Sequence, residues 1–147
     1  MISIRYNPRY KGLFSEEELR RVLLKAMEVE GVRGEVSVLI CGDRMIRRLN
    51  REYRGVDRVT DVLAFPLRDE FPGTKDFLGE IIISLPRARR QAEGTLEDEL
   101  KILIVHGFLH LIGYEDGTEE GRREMMERTL YILKLADREG RGRKYPL

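Results

Sequence analysis

An internal disulfide is excluded at the outset, because Cys41 is the only cysteine in the 147-residue chain. A single thiol fits a reducing compartment. No apolar run approaches the roughly 20 residues of a membrane-spanning helix, and the opening MISIRYNPRYK lacks the apolar stretch of a signal peptide, so a soluble cytoplasmic protein is expected. Charge of one sign is missing too. The 27 basic and 26 acidic residues leave a net charge of +1, which excludes a polycation that coats nucleic acid and requires any such contact to be local. Two Asn and one Gln beside abundant Glu and Arg resemble the composition of proteins from hot environments, which bears on stability and leaves function open. The length suffices for one domain with a real core, so no metal is needed merely to fold it.

What is present organises into alternating strands and helices. Ile2 to Tyr6 alternates apolar and polar residues and predicts a strand. Ser15 with Glu18 forms a capping box ahead of the stripe Leu19, Val22, Leu23, Ala26 and Met27, and Gly31 closes this helix. Val36 to Cys41 predicts a second strand, followed by a short helix capped by Asp43 with Met45, Ile46 and Leu49 on its buried side. Val59 to Leu67 and Leu78 to Leu85 are β-rich runs expected to neighbour each other in one sheet, joined by the polar stretch Arg68 to Asp76. Pro86 opens a helix to about Glu93, and Thr95 with Asp98 makes a second capping box before a helix that buries Leu100, Leu103, Ile104 and Leu111. A long last helix from Thr118 to about Arg138 places Met125, Met126, Leu130, Leu133 and Leu135 on or near its buried side. Residues 140–147 form a short basic tail, expected to be solvated.

Both histidines of the chain lie on one predicted helix, in the run from His106 through His110 and Gly113 to Asp116. Positions four apart share a helix face, so two imidazoles can point at one metal ion. A third ligand brought back by the turn at Gly113 would leave a fourth tetrahedral position open, as a catalytic metal requires. The alternative is a pair of buried structural imidazoles. The spacing equals that of the extended zinc-protease signature, with one chemical difference: Gly107 stands where those proteases carry the glutamate that acts as general base. The pattern therefore predicts metal geometry better than proteolysis. A zinc ion there suits phosphodiester cleavage, and Arg54, in a stretch expected to be a loop, is a candidate cation for an anionic substrate.

Three ordered blocks carry a resemblance. Leu49-Asn50 with Tyr53-Arg54-Gly55 and Asp57 leads into Thr60-Asp61-Val62-Leu63-Ala64-Phe65-Pro66; Leu78-Gly79-Glu80-Ile81 follows; the histidine block comes last. Together they resemble the YbeY-like endoribonucleases of bacteria. The resemblance implies a zinc-dependent, single-strand-specific endoribonuclease used in ribosomal RNA maturation and ribosome quality control. It also implies His106 and His110 as metal ligands, Arg54 as a functional arginine, and contact with the ribosome, its proteins or an assembly GTPase. This chain departs from the family at the third ligand, where histidine is usual and Asp116 stands, preceded by Glu115 where Asp is common. A carboxylate binds zinc but leaves it less electrophilic than a third neutral imidazole would, and Glu115 is the alternative ligand. An oxygen donor also suits manganese or another divalent ion.

The expected architecture is a single α+β domain over residues 1–147, a mixed sheet of about four strands covered by helices, similar to the zincin-like fold. Two other functions compete with the nuclease: a ribosome-associated assembly factor with a structural metal, and a metal-dependent hydrolase acting on a substrate other than RNA.

Overall fold

The computed structural model describes residues 1–67 and 76–144, with side chains described through residue 139. In chain order the elements are β1 (Ile2–Tyr6), α1 (Glu16–Glu30), β2 (Glu35–Cys41), α2 (Asp43–Arg54), β3 (Val62–Pro66), β4 (Phe77–Ser84), α3 (Leu85–Gln91), α4 (Leu96–Leu111) and α5 (Glu119–Lys144), with a single 3-10 turn at Pro8–Tyr10. The four strands make one mixed sheet in the order β1-β2-β4-β3. β1, β2 and β4 run parallel, whereas β3 pairs antiparallel with β4 as the outer strand, Val62 opposite Ile83 and Pro66 opposite Gly79. This is the expected α+β mixed sheet, with β3 and β4 adjacent. Most of the expected polar connection between them, residues 68–75, lies outside the described residues, as do the side chains of the basic tail 140–147.

Strand alternation divides the sheet into two apolar faces. Val36, Val38, Ile40, Ile81 and Ile83 join the main core with α1, α4 and α5. The intervening Cys41, Leu63 and Ile82 form a smaller cluster with Ile46 of α2, and Leu49 packs against it. Helix α2 therefore covers one side of the sheet while the other long helices cover the opposite side.

The helix ends follow local rules with instructive exceptions. Ser15 Oγ accepts from Glu18 N and Thr95 Oγ1 accepts from Asp98 N, as the capping boxes predict. The reciprocal half of the first box is supplied from elsewhere: Ser15 N donates to Glu97 of α4, and Glu18 pairs with Arg21. Asp43 is the first residue of α2 rather than its cap, which is Gly42. Its carboxylate accepts from Ser84 Oγ and Arg90, tying α2 to the β4–α3 junction. Arg54 is the last residue of α2 and not part of a loop, because the helix continues until Gly55 takes a left-handed conformation at φ 71°. On α5 the buried seam is Met125, Thr129, Ile132 and Ala136, while Met126 and Leu130 face solvent. Met45 on α2 is likewise exposed, and Asn50 takes the buried place beside Ile46.

Candidate metal centre

Helix α4 lies across β3 and β4 close enough that a Cβ on Gly107 would stand 2.7 Å from Ile81 Cγ2 and 3.2 Å from Val62 Cγ2. The residue after His106 thus points into the sheet, and the neighbouring face of the helix carries His106 and His110 into a cleft beside β3. Their rings meet edge to face, with centroids 4.7 Å apart. Beyond α4, Gly113 at φ 109° reverses the chain, a conformation that favours glycine. That turn returns Asp116, whose Oδ2 lies 3.5 Å from His106 Nε2 and 3.3 Å from His110 Nε2.

One ligand atom from each of His106, His110 and Asp116 lies within 4.8 Å of the others, a donor set suited to one divalent ion. Glu115 lines the same cleft but is outside this group. The chemistry of the donors fits a metal. Tyr114 O lies 3.0 Å from His110 Nδ1, and since a carbonyl only accepts, Nδ1 carries a proton and Nε2, 3.3 Å from Asp116 Oδ2, is the ring nitrogen that faces the candidate site. Burial, and then the neighbouring His110, hold the His106 imidazole below its ordinary pKa, against the pull of Asp116 and Asp61. A neutral imidazole is the form that donates to a metal.

The turn that carries Tyr114 and Asp116 is itself anchored. Tyr114 donates its hydroxyl to Glu30 Oε1 at 2.8 Å, and Arg128 of α5 donates to Glu30 Oε2 at 2.6 Å. Glu30 is almost wholly buried, its side chain 6% exposed, so α1 and α5 jointly hold the loop. Sequence reasoning does not single out Glu30 or Tyr114. They lie 84 residues apart and no local pattern joins them.

The cleft encloses about 760 Å³ and is also lined by Tyr53 and Arg54 from the end of α2. Arg54 Nη1 donates to Asn50 Oδ1 at 3.3 Å, and Asn50 Nδ2 donates to Arg58 O at 2.9 Å. The buried Asn50 thus orients the arginine and fixes the chain after α2. Asn50 stands in the first of the three sequence blocks, and an asparagine inside a helix goes against propensity, but neither signal gave it the role of bracing Arg54. Asp61 also lines the cleft, but its carboxylate accepts from Val62 N and Gln91 Nε2. The structure therefore brings His106, His110, Asp116 and Arg54 to one cleft, the first three in mutual contact and Arg54 among its other lining residues.

The family model described as Endoribonuclease YbeY matches residues 8–137. The chain belongs to the YbeY endoribonuclease family. An endoribonuclease YbeY from Brevibacillus brevis is 42% identical over 142 aligned residues, covering 81% of this chain and 87% of its own. Another YbeY, from Moorella thermoacetica, is 47% identical over 128 residues, covering 78% and 82%. The solution structure of a Thermotoga maritima protein matches with a TM-score of 0.64 at 31% identity, across 97% of this chain and 93% of its own. Against this YbeY background the absence of a glutamate after His106 has a structural counterpart, because Gly107 is the contact that seats α4 on the sheet. No helix among the described residues is long and apolar enough to cross a membrane.

Proposed function

We propose that the protein is a zinc-dependent endoribonuclease that cuts single-stranded RNA in ribosomal RNA maturation and ribosome quality control in the cytoplasm. The observation that carries this proposal is the meeting of His106, His110 and Asp116 in a cleft that Arg54 also lines, in a chain of the YbeY family. Those three side chains would hold the ion, with Asp116 rather than Glu115 as third ligand because only Asp116 reaches both imidazoles. A zinc ion, when bound, supplies an acidified water and polarises a phosphoryl oxygen.

The chain's own groups do the rest. Arg54, braced by Asn50, offers its remaining N–H groups to a phosphate across the cleft and stabilises charge that develops there. Tyr114 O holds the His110 ring in one tautomer, and Glu30 holds Tyr114. Val62 and Leu63 form an apolar wall that limits water beside the reacting phosphate. Position 107 supplies no carboxylate, which weighs against a peptidase. Ribosomal RNA within the ribosome, its proteins and an assembly GTPase belong to this proposal as partners.

The test is cleavage of a labelled single-stranded RNA by the protein and by His110→Ala, purified identically, each with and without zinc. Cleavage by the wild type that needs metal and is lost in a folded His110→Ala variant supports the proposal. Equal activity in both would sink it in favour of an assembly factor with a structural metal.

A further inference from the structure

The outer side of α2 carries arginines at positions 44, 47, 48, 51 and 54, a spacing of three, four, seven and ten that keeps them on one flank of a helix. Arg54 opens onto the metal cleft. The other four, with Arg5 of β1, line a second and larger cleft of about 1030 Å³ alongside α2. Its floor is apolar, with Leu39, Met45 and Val59 among the lining residues. We propose that this second cleft is a binding groove for single-stranded RNA, continuing the substrate path from the metal centre along α2, with phosphates on the arginine rim and bases on the apolar floor. The inference rests on the endoribonuclease proposal and assigns the same strand a longer footprint.

Charge supports an anionic occupant. The whole chain carries only +1, so five guanidiniums around one cleft are a local concentration and not a reflection of general basicity. Their intramolecular partners are few. Arg47 and Arg51 share Asp57 at 2.9 and 3.8 Å, Arg48 lies 4.0 Å from Glu52, and Arg5 lies 3.3 Å from Glu80. Asp43, also on the rim, is committed to Arg90. Arg44 has no such partner among the described residues. The side chains of Arg47, Arg48 and Arg51 are each 55% exposed and that of Arg5 is 61% exposed. Exposed ion pairs contribute little to stability, so these arginines can exchange carboxylates for phosphates at little cost.

The shape favours an RNA strand over an acidic protein segment. Proteins that hold single strands without reading their sequence combine a positively charged groove with an aromatic side chain on which bases stack, and Tyr6 supplies one among the lining residues here. The ten-residue rise from Arg44 to Arg54 is about 15 Å. That is the length of only a few nucleotides of an extended strand leading toward the metal cleft.

The experiment compares the zinc-loaded wild type with the double variant Arg44→Ala/Arg48→Ala on a labelled, unstructured RNA of 20 nucleotides, measuring KM across a salt series. Both side chains are exposed, and an unchanged melting temperature checks that the fold survives. The expected result is a KM raised about tenfold and a salt dependence shallower by about 1.4 in log–log slope, since each lost phosphate contact on a single strand removes about 0.7. Arg44→Lys/Arg48→Lys should restore the slope, and Arg138→Ala on α5 should leave both quantities at wild-type values. A double alanine variant with wild-type KM and slope overturns the groove while leaving the nuclease intact. A wild type that cuts no RNA overturns the nuclease proposal and the groove together.

Discussion

Gly107 packs against Ile81 with no room for a side chain, a Cβ there falling 2.7 Å from Ile81 Cγ2. The residue that follows the first histidine is therefore part of the helix–sheet contact and cannot act at the metal centre. Gly107→Ala gains up to about 1 kcal/mol of helix propensity but overpacks a filled contact at about 1–3 kcal/mol. A net loss is expected, read as a melting temperature lower by several degrees. Gly107→Glu should unfold the protein or leave it without peptidase activity; a folded, proteolytic Gly107→Glu variant would contradict this geometry.

The third ligand is decided by two parallel substitutions. Asp116→Ala should lose stoichiometric zinc and at least about a hundredfold in RNA cleavage, since even residues that only orient ligands are worth 10–100-fold. Glu115→Ala should keep its zinc. Metal content after dialysis separates the two, and the opposite pattern would transfer the role to Glu115.

Support of the loop is testable at Tyr114. Tyr114→Phe removes the hydroxyl bonded to the buried Glu30 and leaves that carboxylate with Arg128 alone. A loss of about 1–3 kcal/mol is expected in urea denaturation, together with weaker zinc binding in a competition titration against a chelating dye. Unchanged zinc affinity would show that Asp116 is placed independently of this anchor.

For Arg54 the expectation concerns shape as well as charge. Arg54→Lys keeps the cation but loses the planar fork that grips phosphate at two points, so kcat/KM should fall by one to two orders of magnitude. Asn50→Ala leaves the arginine in place but unbraced, and should raise KM while also lowering stability. Wild-type kinetics in Asn50→Ala would show that the brace is dispensable.

A pH effect follows at Asp43, whose carboxyl is held below its ordinary pKa, first by the hydrogen bond from Arg90 and further by that from Ser84. The native value lies below the unfolded one, so this carboxylate contributes stability that is present above about pH 4 and is lost as the pH falls through the native value. Asp43→Asn should be less stable than wild type at pH 7 and should close that gap progressively as the pH falls below about 4. Parallel denaturation curves at all pH values would remove the carboxylate from the stability balance.

Features set by neighbours in sequence were legible in it. The i to i+4 histidines, the caps at Ser15 and Thr95, and the helix stops at Gly31 and Gly113 depend on interactions spanning a few residues, and each stands where the pattern placed it. The candidate ligands His106, His110 and Asp116 fall on a single helix and the turn after it, which is why the candidate centre could be found without a fold. Other features were decided by distant partners. Met126 and Leu130 are as apolar as Met125, but the packing of α5 on α1 and α4 chose the seam through Met125, Ile132 and Ala136. Asp116 and Glu115 were chemically equivalent candidates until the turn at Gly113, held by Tyr114 on Glu30, set which carboxylate faced the imidazoles. Arg54 joined the site only because the sheet order places β3 at the edge, between the end of α2 and the histidine face of α4. Local spacing therefore wrote the candidate histidine pair into the sequence, whereas the placing of Asp116 against it and of Arg54 in the same cleft depended on long-range packing that no short window of residues contains.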